Sequence, residues 1–196
     1  ILDDESEEDN SYLSYNVVCD YALNREMYIA FQIIDYALIA SQGTPVRKAL
    51  LDAGIGNDIY SVYENGIYQP YYSIVAKNAN LEDKDKFVEI IESTLAGIIA
   101  DGFDQNALVA GLNNLEFRYR ESDFGSTPRG LVLGLAALDS WLYDDTKPFM
   151  HIECNDTYKF LREQIGTSYY EEFVEEYILN NSHKSIVLVA PEKGLT

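Results

Sequence analysis

The dipeptide Asn65-Gly66 constrains this chain most, because it separates two β-rich runs, 58–63 and 67–77. Asparagine and glycine both tolerate the positive φ that a tight antiparallel turn needs. We therefore predict a β-hairpin near the middle of the sequence. Pro70 lacks a backbone N–H, so the second strand should start with an edge or a bulge at that position.

Helical segments surround the hairpin, and a further strand lies towards each end of the chain. The alternating residues 11–19 and the apolar run 185–190 predict these outer strands. Apolar periodicity predicts helices at 25–40, 46–53, 82–100, 105–121, 129–143, 156–165 and 168–179. This order predicts an α+β fold, with an antiparallel sheet of about four or more strands backed by helices on one face.

Residues typical of helix ends support three of these boundaries. Thr44 followed by Pro45 matches an N-cap with proline at the first helical position. Asp104 is an N-cap residue in front of the helix 105–121, and Gly54 is suited to the C-terminal end of the helix 46–53.

The composition divides the chain into a short acidic segment and a long mixed one. Positions 3–9 hold six acidic residues and no apolar ones, so this run cannot offset the entropy of ordering. We expect residues 1–11 to be an acidic linker or frayed end. Residues 12–196 should form a single α+β domain, because no Pro/Gly/Ser-rich linker divides them.

The net charge restricts the classes of partner. The 196 residues include 14 Lys and Arg against 33 Asp and Glu, which gives a formal net charge of −19. Such a surface repels phosphate backbones and anionic lipid, so we expect neither nucleic acid nor membrane as a partner. Basic peptides and cations remain compatible with this charge. No apolar run approaches the ~20 residues of a membrane span.

The compartment and the processing of the chain are also expectations. With only Cys19 and Cys154, and no secretory signal at Ile1, we expect a reducing environment. A bacterial cytoplasm is favoured, with an organelle interior as the alternative. A chain that starts at isoleucine is expected to be a processed product or an excised piece.

The sequence offers no recognisable metal or catalytic centre. Its two histidines, His151 and His183, lie in neither an H-E-x-x-H nor an H-x-x-E-H pattern. We interpret His151 as a loop histidine beside a buried Cys154, in preference to a Cys/His catalytic pair. His183 follows a helix, where its ring could bond the last carbonyls. We therefore predict no catalytic and no metal-binding residues, and the substrate-binding residues are unknown.

Two helical patterns have structural interpretations. Glu116 and Arg120 are four residues apart, which favours an ion pair on one helix face, with substrate contact as the alternative. Gly130 and Gly134 have the same spacing. We predict that these glycines let two helices approach closely.

Several fragments in a fixed order resemble the presequence-protease branch of the insulinase, or pitrilysin, zinc metallopeptidases. The resemblance covers about residues 12–195. The fragments are 43–54 (GTPVRKALLDAG), Gln69-Pro70, Glu116-Phe117, Arg120-Glu121, Pro128-Arg129-Gly130-Leu131, Trp141-Leu142-Tyr143, Pro148, Tyr169-Tyr170-Glu171, Asn181-Ser182-His183 and 191–195 (PEKGL).

The resemblance implies a location within a longer protein. In that family two halves, each with two related α+β domains, close around a chamber in which peptides are cut. The zinc is held by an H-x-x-E-H helix and a distal Glu of the first domain. This chain is similar to the second domain of the first half, so the catalytic motif would lie upstream of Ile1 and this chain alone should be inactive and bind no zinc.

The family's zinc ligands, catalytic Glu and substrate-anchoring Arg and Tyr have no counterparts here. The matching residues are interpreted as fold determinants, with chamber lining as the alternative; they are Pro45, Gln69, Glu116, Arg120, Glu121 and Gly130. Two departures, Tyr170 in place of Phe and the loop 144–148 in place of a glycine-rich one, leave the expected fold unchanged.

The sequence therefore favours a non-catalytic, chamber-forming domain of a zinc metalloendopeptidase that degrades peptides, which its acidity suggests are basic. The alternative is a structural or binding module of the same superfamily without peptidase activity. In either case, we predict an exposed apolar patch where a neighbouring domain docks, and this patch could drive self-association of the chain on its own.

Overall fold

The computed structural model describes residues 1–2, 6–122 and 124–194. The strands within these residues are β1 (Ser11–Val18), β2 (Asp58–Glu64), β3 (Tyr71–Ala79) and β4 (Lys184–Val189). The α-helices are α1 (Arg25–Asp35), α2 (Pro45–Asp52), α3 (Lys84–Asp101), α4 (Gln105–Glu121), α5 (Arg129–Trp141), α6 (Asn155–Glu163) and α7 (Tyr169–Val174). Both α1 and α7 continue for one π-helical turn, Tyr36–Ala40 and Glu175–Leu179.

The four strands form one antiparallel sheet in the order β2-β3-β1-β4. The side chains of Leu13, Tyr15 and Val17 in β1 are buried, whereas the residues between them are partly exposed. Their register partners in β3, Tyr72 and Ile74 among them, are buried on the same side. The helices supply the rest of the core on this side, so the predicted α+β fold is confirmed.

The most apolar helix lies at the centre of the core. Six of the eleven residues of α1 are buried, and its Phe31 ring contacts rings from β2, β3 and α7. Tyr72 of β3 donates a hydrogen bond of 2.8 Å to Asp35 at the end of α1. Because α1 touches the sheet and other helices at once, even its polar side, at Arg25, Gln32 and Asp35, is half-buried.

The central hairpin is present, but the turn prediction was wrong. β2 pairs with β3 up to Glu64 and Tyr71, so the connection spans residues 65–70, and neither Asn65 nor Gly66 has a positive φ. Residues 67–69 do not join the sheet because this loop forms backbone hydrogen bonds with the segment that follows β1. Ala22 N donates to the Tyr68 carbonyl at 3.0 Å, and Cys19 N donates to the Pro70 carbonyl at 2.7 Å.

The helix ends agree in position with the predicted caps. Asp104 accepts a hydrogen bond from Asn106 N at 2.9 Å, as an N-cap should. Thr44 occupies the N-cap of α2 with Pro45 after it, but its hydroxyl donates to the Ser41 carbonyl instead of accepting from the helix. Gly54 ends α2 with a φ of +74°.

Close helix contact occurs at a glycine other than the predicted pair. A Cβ on Gly111 of α4 would lie 3.1 Å from Tyr36 Cβ and 3.2 Å from Ile33 O. A Cβ on Gly130 or Gly134 of α5 would meet no atom of the described residues within 4 Å. The prediction for α5 was therefore wrong within this domain, because its glycines face outward.

The two ends of the chain lie side by side. The amino group of Ile1 donates to the Glu192 carbonyl, and Gly194 N donates to the Ile1 carbonyl, both at 3.1 Å. Residues 3–5 of the predicted acidic linker fall outside the described residues. Asp9, later in that segment, exchanges two hydrogen bonds of 2.8 Å with Asn80, so this part of the segment contacts the domain.

None of the helices formed by the described residues has the length and hydropathy that crossing a membrane requires.

Candidate functional site

His151 is buried between the segment after β1 and helix α1. Its Nε2 lies 2.7 Å from the Ala22 carbonyl oxygen, and its ring stacks on Tyr28 at 3.9 Å between centroids. Burial lowers the pKa of His151, the charge of Arg25 adds to this effect, and the Ala22 carbonyl partly opposes it. The ring is therefore neutral near pH 7 and donates through Nε2–H.

Cys154 follows His151 but does not form a catalytic pair with it. The Cys154 thiol lies 3.1 Å from the His151 carbonyl oxygen, so it donates to the backbone and not to the imidazole. Burial raises the pKa of this thiol to about 11. A nucleophilic cysteine needs a thiolate at neutral pH, and this environment disfavours it. Cys19 is likewise buried, and its pKa is raised to about 12.

The donor chemistry around these residues does not fit a zinc ion. Zinc sites in proteins combine three or four imidazole, thiolate or carboxylate ligands. The described residues contain no group of three or more His, Cys, Asp or Glu side chains placed to hold a metal. His151 also uses Nε2 for the Ala22 carbonyl, which removes one of its two possible donor atoms. The prediction that this chain binds no metal stays a prediction.

Glu116 is the centre of an ionic cluster that joins two helices. Arg120 contacts one carboxylate oxygen at 2.7 Å, four residues further along α4, as predicted from the spacing. Arg162 of α6 contacts the other oxygen at 2.6 Å and also donates to Asn113 Oδ1 at 2.9 Å. Burial acts to raise the pKa of Glu116, but the hydrogen bonds from Arg162 and Arg120 outweigh it and lower the pKa.

The role predicted for His183 belongs to Asn181. Asn181 donates from its side-chain amide to the Tyr177 and Val18 carbonyls, at 2.9 and 2.8 Å, and so ties the end of the last helix to β1. His183 is exposed, and its recorded hydrogen bonds run through its backbone.

The residues that match the resemblance divide into two groups. Pro45 at the start of α2 and the Glu116 and Arg120 pair have clear structural roles. Gln69 and Gly130 are exposed, and a Cβ on Gly130 would meet no atom of the described residues within 4 Å. Glu121, the last residue of α4, is exposed as well. The interpretation of all six as fold determinants therefore holds only in part.

A cavity of about 210 Å³ lies between α5 and the rest of the domain. Its walls include Val132, Leu133 and Ala136 from the inner side of α5, together with His151 and Cys154. The helix is held near its C-terminal end, where Tyr28 donates to Asp139 at 2.9 Å. Sequence patterns gave no signal for this contact, because the two residues are 111 positions apart.

The outer side of α5 carries large apolar side chains in solvent. Leu131 and Leu135 are each 54% exposed, and Leu142 is 66% exposed. Leu138 lies between them on the same side and is also exposed. We call this surface the α5 face; its residues are Leu131, Gly134, Leu135, Leu138 and Leu142.

The face of the sheet that the helices leave open is polar at its centre. Ser14 and Ser73 both donate to Asn16 Oδ1 at 2.6 Å, across β1 and β3. Asn16 in turn donates to the Ser185 carbonyl of β4 at 3.2 Å. This network fixes three strands to one another, and the period-two alternation of β1 was its only sequence signal.

An acidic cleft lies between the beginning of α1 and the helix α7. Its walls carry three carboxylates, from Glu26, Glu172 and Glu176, and the rings of Tyr169, Phe173 and Tyr177. The Glu172 carboxylate accepts a hydrogen bond of 2.5 Å from Ser168. Burial raises the pKa of Tyr169 to about 12, and the charge of Glu26 adds to the effect.

Comparisons with known proteins find similar segments within much longer proteins. No family profile matches it. Protein HypA of Clostridium perfringens is 37% identical over 193 residues, which cover 97% of this chain and 20% of that protein. Presequence protease 1 of Arabidopsis thaliana is 31% identical over 175 residues, which cover 87% of this chain and 16% of that protein. The chain thus spans about a fifth of the length of these relatives.

Solved structures share the fold. The inactive peptidase domain of a protein described as a zinc protease from Bordetella parapertussis has a TM-score of 0.70 at 11% identity, and the match covers 93% of this chain and 91% of that one. Pitrilysin has a TM-score of 0.56 at 18% identity, over 93% of this chain and 19% of its own.

The fold and the relatives together define a class: this is an α+β domain of the metallopeptidase type. More narrowly, the chain is related to the insulinase, or pitrilysin, family, through its presequence-protease branch. The family resemblance drawn from the sequence is confirmed, and the place of the domain within the longer protein stays a prediction.

Proposed function

We propose that this chain is a non-catalytic domain of a longer zinc metallopeptidase, in which it helps to enclose the peptide substrate. The observation that carries the proposal is the 31% identity to a presequence protease over 87% of this chain, supported by the fold shared with an inactive peptidase domain. Peptide cleavage and the zinc ion would both come from another part of the longer protein. Residues 12–196 would form one domain of it, after an acidic linker.

The environments of the chain's own reactive groups support a non-catalytic role. The imidazole of His151 is neutral and committed to the Ala22 carbonyl, and the pKa of the Cys154 thiol is about 11. The thiol is therefore not prepared for nucleophilic chemistry at neutral pH, and it donates to the His151 carbonyl and not to the imidazole. What this chain would supply is shape, a sheet face with a polar centre, and negative charge.

The first experiment separates this role from catalysis by the chain itself. Peptide hydrolysis and zinc content are measured for the 196-residue chain and for the longer polypeptide that carries it, with and without a chelator. We expect chelator-sensitive hydrolysis and stoichiometric zinc in the longer polypeptide only. Chelator-sensitive cleavage by the 196-residue chain would overturn the proposal. A longer polypeptide without an H-x-x-E-H motif, zinc or hydrolysis would instead favour a structural or binding module.

The net charge suggests which peptides the enclosure favours. A chain with a formal net charge of −19 attracts cationic peptides. A cleft with low-dielectric walls concentrates the electric field of that charge. We propose that the longer protein favours basic peptides for this reason. The acidic cleft at Glu26, Glu172 and Glu176 provides a place to test it.

The second experiment measures kcat/KM for a basic and a neutral peptide in the longer polypeptide. The variant Glu26→Gln/Glu172→Gln/Glu176→Gln should lower the preference for the basic peptide by about 10-fold at low ionic strength. Added salt should lower the wild-type preference in the same direction. The control variant Glu82→Gln/Asp85→Asn/Glu89→Gln removes equal charge from exposed positions in the first turns of α3 and just before it. An unchanged preference in the cleft variant would remove the steering proposal and leave the enclosing role intact.

A further inference from the structure

The α5 face differs from the apolar stripes of the other helices because it points away from the core. The inner residues of α5, among them Val132 and Ala136, already line the cavity beneath the helix. Leu131 and Leu135 are nevertheless each 54% exposed on the opposite side. Because α5 already packs on the domain through its inner side, exposed apolar residues on its outer side indicate an interaction site.

The shape of the α5 face favours a helix as its partner. Leu131, Leu135, Leu138 and Leu142 recur at the spacing of one helix face. Gly134 lies among them, and a Cβ there would meet no atom of the described residues within 4 Å. A glycine flanked by leucines forms a shallow notch, which allows the backbone of a second helix to approach closely.

The charge of the chain limits what that partner can be. Residues 130–138 contain no charged side chain, in a molecule whose net charge is −19. Two copies of this chain would bring two large negative charges together, which opposes a dimer through this face. A helix without acidic residues on its contact side meets no such opposition.

We propose that the α5 face docks an apolar helix from another segment of the same longer polypeptide. The relative HypA carries the matched segment within a protein about five times as long, so such a polypeptide has ample chain outside this domain. The inference rests on the proposed function, because it requires that longer polypeptide. The inference identifies the surface through which this domain would contact the rest of that polypeptide.

Thiol labelling in the longer polypeptide tests the inference. Cys19 and Cys154 are both buried, so in the folded protein most of the labelling occurs at a cysteine introduced on the surface. Leu135→Cys reports on the α5 face, and Ala96→Cys on the exposed side of α3 is the matched control. We expect labelling at position 135 to be at least about tenfold slower than at position 96. Equal rates at the two positions would overturn the inference.

A photo-crosslinking side chain at position 135 identifies the occupant. A crosslinked product of monomer mass, joined to a helix outside these 196 residues, supports the proposal, and a product of twice the mass overturns it in favour of a second copy. Leu131→Cys repeats the labelling if the variant at 135 folds poorly. Peptide hydrolysis measured on the same samples distinguishes the two proposals: intact chelator-sensitive activity with a freely labelled position 135 refutes the docking surface alone.

Discussion

Glu116 joins two helices through a single carboxylate. Arg120 lies one turn away on α4, and Arg162 reaches the same carboxylate from α6. The two arginine side chains are about half exposed, whereas that of Glu116 is largely covered. Because the carboxylate has two cationic partners, its loss should cost more than the loss of an ordinary surface pair.

Replacing Glu116 by Gln should lower the free energy of unfolding by about 1 kcal/mol at pH 7. The lowered pKa of Glu116 gives the pH dependence. The stabilisation is complete above the ordinary value of 4.5, and it is lost as the pH falls through the lower folded value. Urea unfolding at pH 7 and pH 3 measures both effects. Glu121→Gln, which removes an exposed acid at the end of the same helix, should change neither.

His151 should make the fold sensitive to mild acid. Its pKa in the folded state is lowered from 6.5, so the unfolded chain takes up a proton first as the pH falls. The free energy of unfolding of the wild type should therefore decrease from pH 7.5 to pH 5.5 more than that of His151→Gln. Glutamine keeps a donor for the Ala22 carbonyl but cannot be protonated. A His151→Gln profile identical to that of the wild type would contradict the prediction.

Sequence predicts a residue contact when the partners are local and misses it when they are distant. Glu116 and Arg120 are four positions apart on one helix, so their pairing follows from helix geometry. Arg162 is 46 positions from Glu116, and its approach depends on how α4 packs on α6. The same holds for Tyr28 and Asp139, whose contact no local pattern encodes.

Glycine has different structural roles in helices α4 and α5. Gly111 of α4 is needed, because a Cβ would press against Tyr36 and the Ile33 carbonyl at 3.1 and 3.2 Å. Gly134 of α5 and Gly97 of α3 have no described atom within 4 Å of that position. The surroundings of a helical glycine, which spacing alone does not reveal, therefore decide whether it serves packing.

A glycine-to-alanine series should separate these cases in the 196-residue chain. Gly134→Ala and Gly97→Ala should each raise the free energy of unfolding by about 0.5–1 kcal/mol, because alanine favours the helix and meets open space. Gly111→Ala should lower it by about 1–3 kcal/mol through overpacking. Urea unfolding measures all three. A loss of stability in Gly134→Ala would show that something within this chain already covers the α5 face.

Most elements were predictable because their signals are local. Asp104 marks the start of α4, and the alternation of Ser11–Val18 marks β1, as the structure has them. The loop 65–70 was mispredicted because the Tyr68 carbonyl bonds to Ala22, a distant residue that outweighs the local turn preference of Asn65-Gly66. The strand order β2-β3-β1-β4 likewise follows from distant pairing and is not encoded in any one segment.

The whole molecule carries far more carboxylates than cations to pair with them. Ion pairs among the described residues involve five carboxylates, those of Asp52, Asp58, Glu92, Glu116 and Asp144. The sequence contains 33 acidic residues. Repulsion among the remaining carboxylates should therefore outweigh the few attractions at the surface.

Salt should stabilise this fold. Raising NaCl from 10 mM to 200 mM shortens the Debye length from ~30 Å to below ~8 Å, which screens repulsion over most of the surface. We expect the free energy of unfolding at pH 7 to rise by about 1 kcal/mol. Urea unfolding at both salt concentrations tests this. The variant Glu82→Gln/Asp85→Asn/Glu89→Gln should gain less from salt, and a decrease with salt would mean that the ion pairs dominate.

The two chain ends lie side by side, which affects how the domain can be joined to a larger protein. Ile1 is hydrogen-bonded to Glu192 and Gly194, so the first described residue lies beside the last ones. A unit of this shape can be spliced into a loop of a larger protein without separating the flanking segments, and it tolerates circular permutation for the same reason.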